Sequence, residues 1–436
     1  MLLCARLLSC KHANNPRFQH LLPGLSHLDT DLNTTPMSHL QLAVLLGMTV
    51  ALGPLALDAY LPAFPEIADE LGVGHGGVGL TLSAYIGALG LAQLLGGPLS
   101  DRYGRQRILF AGLLVFAIAA YMVAQSETLT NMLGWRIVQG IGGAFCAVSV
   151  PAIVRDQTSG QDAARLFGLI GLVMFIAPAA APSIGSALLY FSEWHVIFLM
   201  LAGYAALLAV VLHFMLFQRL PARQTERTPI VTLITNYGLV LRHGVTMRFV
   251  GLQALCFSSM MVFITHASFI YQEWFGLSNS MFSGLFAANI VAMAGLNLLN
   301  RRLLNKYESV RILRACVFLQ AVAVSALVIC AWAGAPYWVI AGCIIVAVGF
   351  MGAIIPNNMA NALEFFPHLG GTAAAMLGAA QFTIAGVISA LSATLAGGTL
   401  LPIVLVMAVC VYGAAVLAAG GPAAIERKKQ EPVATS

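Results

Sequence analysis

The chain has 436 residues, 59% of them hydrophobic and only 9% charged, where an ordinary soluble domain carries about 25% charged residues. A soluble fold must keep its surface wetted and could not hide so much apolar side chain, so the composition excludes a water-soluble enzyme or binding domain and points to lipid as the solvent. The formal net charge of +5 sits in short segments between apolar stretches, where it reports topology and not nucleic-acid binding.

Residues 1–36 are mixed in composition, with Pro16, Pro23 and Pro36 and no long apolar run. They read as a disordered leader, or as sequence ahead of a true start at Met37. Beyond them, apolar stretches of about 17–25 residues, the length needed to cross a bilayer, recur near 41–64, 77–99, 107–125, 129–154, 165–190, 194–217, 247–271, 280–303, 310–332, 336–362, 372–396 and 399–420. Gly and Pro inside them suit membrane helices, where small residues allow close packing and neighbouring groups satisfy freed backbone. The longest polar interval, 219–246, divides the twelve spans into two sets of six. The expectation is an all-α polytopic membrane protein: an N-terminal six-helix bundle over 37–218, a cytoplasmic linker loop over 219–246, a C-terminal six-helix bundle over 247–420 and a cytoplasmic tail over 421–436. The eight cysteines contain no C-x-x-C pair and mostly lie in apolar runs, which reads as free buried thiols without a disulfide framework or a metal site.

With both termini placed in the cytoplasm, the inner loops and their edges hold Arg102, Arg105, Arg107, Arg155, Arg165, Arg219, Arg223, Arg227, Arg242, Arg248, Arg301, Arg302, Lys306, Arg311 and Arg314. The tail adds Arg427, Lys428 and Lys429, while the outer loops carry no Lys or Arg and instead Glu66, Asp69, Glu70, Glu127, Glu193 and Glu273. That asymmetry follows the positive-inside rule and supports an even number of spans.

Two charged residues remain well inside a span, Asp58 in the first and Arg136 in the fourth. Each costs at least ~2.5–3.5 kcal/mol at a helix centre. Counted from the outer ends of their spans, both lie ~10 Å below the surface, at matching depth. A low-dielectric site favours the neutral acid and a nearby guanidinium favours the carboxylate, so a movement that shifts this balance couples protonation to conformation. The alternatives at this point are a static buried ion pair, or an Arg held by backbone carbonyls that locks helices together. Of the histidines, His266 is expected near the outer end of the seventh span, at an interface. Asn289, Asn357, Asn358 and Asn361 are polar residues in apolar context, where bonding between helices or cavity lining is expected.

The loop between the second and third spans reads Gly97-Pro98-Leu99-Ser100-Asp101-Arg102-Tyr103-Gly104-Arg105-Gln106-Arg107. Gly97 and Gly104 permit a tight turn, Asp101 accepts hydrogen bonds at a helix end, and the arginines anchor the loop and pair with that acid. The spacing resembles the G-x-x-x-D-x-x-G-R loop motif of the major facilitator superfamily, in which Gly97, Asp101, Gly104 and Arg105 would form the latch between two six-helix halves. Arg136-Ile137-Val138-Gln139-Gly140 resembles that family's fourth-helix motif, whose arginine is associated with proton coupling. In the fifth span, Ala177-Pro178-Ala179-Ala180-Ala181-Pro182-Ser183-Ile184-Gly185 is similar to the antiporter motif of the Bcr/CflA drug-resistance branch, with Ala177 and Ser186 where glycine is common. It makes Pro178, Pro182 and Gly185 the expected hinge. Asp58-Ala59-Tyr60-Leu61-Pro62 resembles the same branch and carries its proton-coupling acid onto Asp58. In the second half, Asn297-Leu298-Leu299-Asn300-Arg301-Arg302 holds the position of the repeated loop motif without its acid and glycines.

The resemblance implies a proton antiporter that exports small amphiphilic drugs or metabolites by alternating access, functioning as a monomer in a bacterial inner membrane. Its partners would be protons, a small-molecule substrate and the lipid bilayer, with no cofactor, metal or nucleic acid. Tyr60, Gln139, Met260 and Asn357 are candidate cavity residues. Phe257, Met260, Met261 and Phe263 crowd so short a segment that some are expected to face lipid. The rivals are a proton symporter importing a nutrient and a membrane receptor or scaffold without transport. A membrane enzyme is disfavoured because no H-E-x-x-H, Ser/His or paired-acid constellation occurs in the spans, and ATP-driven transport because no phosphate-binding G-x-x-x-x-G-K-[ST] loop does.

Overall fold

The computed structural model describes residues 38–158, 160–218, 230–366, 369–395 and 398–420. The leader 1–36, the tail 421–436 and residues 219–229 of the linker lie outside the described residues. Among the described residues there is no β-strand, and twelve helices are long and apolar enough to cross a membrane. They are Leu40–Glu70, Gly76–Tyr103, Arg105–Ala124, Leu129–Gln157, Arg165–Phe191, His195–Phe217, Gly244–Trp274, Asn279–Leu303, Ser309–Trp332, Tyr337–Leu363, Gly370–Leu395 and Leu400–Ala419. Helices are the structures that satisfy every backbone polar group within one apolar segment, so span length read from hydropathy matches the observed spans to within a few residues. Arg102, Arg105, Arg155 and Arg248 mark one end of the bundle, here the basic end. Glu66, Glu70 and Glu193 mark the other, the acidic end.

Packing repeats with a displacement of six spans. In the first half the second span packs on the fourth, the third on the fourth and sixth, and the first on the fifth. In the second half the eighth packs on the tenth, the ninth on the tenth and twelfth, and the seventh on the eleventh. The halves meet chiefly through two related pairs, the second span with the eleventh and the fifth with the eighth. Each is the second span of one half against the fifth of the other, the relation expected of two structural repeats. Gly386 of the eleventh span admits the backbone of Gly87, whose amide nitrogen would lie 2.7 Å from any added Cβ. This is the close approach that small residues allow.

Two departures from the sequence reading shape the site. The first span is broken: its helix His39–Asp58 stops at Asp58, a single tight turn runs Leu61–Ala63, and a short helix Phe64–Glu70 completes the span. Pro62 and Pro65 lack the donors and impose the geometry that make such a break. The linker over 219–246 is also more than a loop, because Ile230–Arg242 is helical. Its Val240 is buried against Ala373 and Met376, and its Tyr237 hydroxyl donates to the Leu94 carbonyl at 3.4 Å. At thirteen residues it is too short to span, so hydropathy length alone does not reveal it.

Candidate functional site

Arg136 is 0% exposed on the fourth span. A guanidinium keeps its charge and carries five donors, so burial on this scale requires acceptors. Its Nε donates to the Thr81 carbonyl at 3.4 Å, one Nη to the Ala56 carbonyl at 3.2 Å and to Gln139 Oε1 at 2.8 Å, and the other Nη to the Tyr60 hydroxyl at 3.1 Å. The rings of Tyr60 and Tyr85 approach the guanidinium carbon with centroids at 4.6 and 4.5 Å, and Phe198 at 5.7 Å, adding cation–π attraction. Arg136 thus ties the first, second and sixth spans to the fourth. Tyr60 shares its hydroxyl with Thr81 at 3.1 Å.

Asp58 is 5% exposed, and its Oδ1 is buried with no hydrogen-bond partner in the protein. Arg136 bonds to Ala56 and to Tyr60, two residues before and two after Asp58, but not to the carboxyl between them. Arg136 therefore reaches the first span on either side of Asp58. The static ion pair does not form, and the carbonyl-held arginine describes Arg136. A carboxyl in this position is tolerated as the neutral acid and is costly as an unpaired carboxylate.

The turn that follows Asp58 is wedged between the halves. Leu61, Pro62 and Ala63 are all buried, and Gln272 at the end of the seventh span donates to the Pro62 carbonyl at 3.3 Å. Behind the turn, a Cβ added to Gly185 would strike the Ala59 carbonyl oxygen, so the expected hinge packs directly on the residue after Asp58. Pro178 and Pro182 lie within the same continuous helix, Gly160–Phe191. One turn of chain away from the wedge, the short helix is held by Trp194, whose backbone N–H donates to Glu66 at 3.0 Å and whose indole N–H donates to Glu70 at 2.6 Å. The acidic end is further joined across the halves by Ser186 and Ser283, hydroxyl to hydroxyl at 2.9 Å.

The basic end is arranged differently. Gly104 takes φ +95° at the turn between spans, a conformation that favours glycine. Arg105 pairs with Asp101 at 3.3 Å and with Asp156 at 2.9 Å, and also bonds the Ala152 carbonyl. All these partners belong to the first half. Facing them across a cavity of about 360 Å³ are Met359, Gly371, Ala374 and Ala375 of the second half, and Gly97 and Gln93 complete the lining. Arg105 and Asp101, the expected latch, are thus bonded within the first half, beside a cavity lined by both halves.

The remaining candidates separate by burial and bonding. Gln139 is fully buried; it accepts from Arg136, while its Nε2 has no partner. Asn357 is enclosed in the second half, where its Nδ2 donates to Asn300 and the Ala353 carbonyl and its Oδ1 accepts from Ser309. Met260 is buried, and so are Phe257, Met261 and Phe263. The expected lipid-facing subset does not exist, because the seventh span is enclosed by its contacts with the eleventh, twelfth, tenth and second. His266 is also buried, and its Nε2 is bonded to Ser392 at 3.0 Å. Gln253, Gln272 and Gln381 escaped the sequence reading. For Gln253 and Gln381 the signal was present, since each is a carboxamide inside an apolar run; Gln272 lies just past the end of one.

The profile of the Major Facilitator Superfamily matches residues 46–390. The bicyclomycin resistance protein homolog of Haemophilus influenzae is 29% identical over 368 residues, which is 84% of this chain and 92% of that protein. The chloramphenicol resistance protein of Pseudomonas aeruginosa is 30% identical over 354 residues, 77% of this chain and 79% of that protein. Among solved structures, that of a D-xylose-proton symporter superposes with a TM-score of 0.69 at 15% identity, covering 86% of this chain and 95% of that one; at this identity the likeness is one of fold.

Proposed function

The chain belongs to the major facilitator superfamily, and from that premise we propose that it is a proton-coupled antiporter exporting small amphiphilic drugs or metabolites. It acts as a monomer in a bacterial inner membrane, with the basic end and both termini in the cytoplasm. The relatives named for bicyclomycin and chloramphenicol resistance support export of drug-like cargo, and the Lys/Arg asymmetry of the loops supports the orientation.

One observation carries the reading: Asp58 is a buried carboxyl without an ionic partner, placed where the first span breaks. As a neutral acid it suits the sealed acidic end. Losing its proton leaves an unpaired charge that costs at least ~2.5–3.5 kcal/mol at a helix centre. That cost is relieved when the wedge over Leu61–Ala63 withdraws and water or Arg136 reaches the carboxylate. Protonation from outside therefore favours the state open to the cytoplasm. Cargo binding from inside, with proton release to the cytoplasm, favours the state open to the outside. Gly185 against Ala59 supplies the mechanical link between the acid and the hinge. Asp101 and Arg105 act at the far end as a latch that must engage the second half when the cavity beside them closes.

The test is substrate-induced dissipation of a pH gradient in inverted membrane vesicles, comparing the parent with Asp58→Asn across cationic, neutral and zwitterionic drugs. A response that vanishes in the variant at equal expression supports antiport through Asp58. A response that persists in the variant defeats that assignment.

A further inference from the structure

Resting on the transporter reading, the second half also points to the kind of cargo. Every charged residue between 247 and 420 lies in a loop or within two turns of the end of a span. The polar groups deep in that half are uncharged, and three carboxamides from three spans converge. Asn358 of the tenth span, fully buried, donates through Nδ2 to Gln253 Oε1 of the seventh at 2.8 Å and to the Phe249 carbonyl at 3.0 Å. Gln253 donates through Nε2 to Gln381 Oε1 of the eleventh span at 2.6 Å. The chain of bonds leaves Asn358 Oδ1 buried with no protein donor, and Gln381 is half-buried.

A fourth carboxamide comes from the first half. Gln93 lines the cavity at the basic end and lies against Gly378, where an added Cβ would sit 2.8 Å from its Oε1. Gly378 is one helical turn from Gln381 on the eleventh span, so Gln93 brings the edge of that cavity to within one turn of the carboxamide chain, whose own three members stand behind its lining. Beside it, Phe257 and Phe382 meet edge-on with centroids 5.0 Å apart, an apolar wall next to hydrogen-bonding groups. Carboxamides offer both donors and acceptors and no net charge. A site built from them rewards a ligand that hydrogen-bonds and offers a permanent cation no counter-charge.

We propose that Gln93, Gln253, Asn358 and Gln381 form a cargo subsite that selects uncharged, hydroxyl- or amide-bearing aromatic or cyclic amphiphiles over permanent cations.

Equilibrium binding to purified full-length protein tests this without depending on transport, using radiolabelled chloramphenicol and bicyclomycin as neutral probes and tetraphenylphosphonium as the cation. The parent should bind a neutral probe at least tenfold more tightly than the cation. Gln381→Leu should weaken the neutral probe at least tenfold at an unchanged melting temperature, with Gln93→Leu as a second variant should the first misfold. Gln381→Glu, which keeps the shape and adds a charge, should gain affinity for tetraphenylphosphonium. Preference of the parent for the cation, no saturable binding of either neutral probe, or indifference of neutral binding to both Leu variants would overturn the subsite. The export reading is judged separately by the Asp58→Asn vesicle experiment, so either can fail alone.

Discussion

Arg136 bonds the chain on both sides of Asp58 and not the carboxyl itself: the guanidinium donates to the Ala56 carbonyl at 3.2 Å and the Tyr60 hydroxyl at 3.1 Å, bracketing Asp58 between them. A fixed charge already satisfied by neutral acceptors holds the protein together in this state and stays within reach of an acid that becomes charged in another. Loss of the arginine should therefore hurt folding and transport together.

Arg136→Met leaves the Ala56 carbonyl and the Gln139 oxygen buried without their donor, at about 1–3 kcal/mol for each group left unsatisfied. Thermal melting in detergent should show a marked drop, and vesicle transport should be lost. Arg136→Lys keeps the charge but not the fork of donors, so it should melt between Met and parent and still fail to transport. Normal transport by Arg136→Met would refute the role.

Gly185→Val forces a side chain into the Ala59 carbonyl. Overpacking of this kind costs about 1–3 kcal/mol, and the displaced turn is the one that carries Asp58. Reduced melting temperature and lost proton-coupled transport are expected. Gly203→Val is the control, since no neighbour lies within 4 Å of an added Cβ there, and it should behave as the parent does.

Ser186 and Ser283 join the two halves at the acidic end, oxygen to oxygen at 2.9 Å. Replacing both by Cys and oxidising should form an intramolecular disulfide that stops transport, with recovery after reduction. The single-Cys variants should be insensitive to the oxidant. A cross-linked protein that still transports would mean that the acidic end need not open.

Tyr237 lies outside the spans, and burial pushes its phenol up, with the Asp101 carboxylate adding to the effect. A raised value means that folding favours the neutral phenol. The bond to Leu94 is therefore fully present below the ordinary value of about 10 and is lost as the pH climbs through the raised one. The melting difference between parent and Tyr237→Phe, corresponding to about 0.5–1.5 kcal/mol for one hydrogen bond, should be the same at pH 7 and pH 9 and shrink only above about 10. A difference that disappears by pH 9 would contradict it.

The twelve spans were legible because they depend on properties of single residues. Apolar length and the scarcity of charge are counted along one dimension, and a charge inside a span stands out wherever its partners lie. The break at Asp58 was half legible: Pro62 and Pro65 were visible, but the seal they form needs Gln272 of the other half. The helix Ile230–Arg242 and the burial of Met260 with its aromatic neighbours were not legible, since both depend on which surfaces cover them.

The amino-acid order by itself determined that this chain lives in a membrane, how many times it crosses and which loops carry the positive charge, because lipid sorts residues by polarity one at a time. Only the tertiary structure decided that Arg136 is held by carbonyls and not by Asp58, that Gly185 presses on Ala59, and that Gln253, Asn358 and Gln381 meet. Those relations depend on the rotation and crossing of packed helices, and hydropathy carries no record of either.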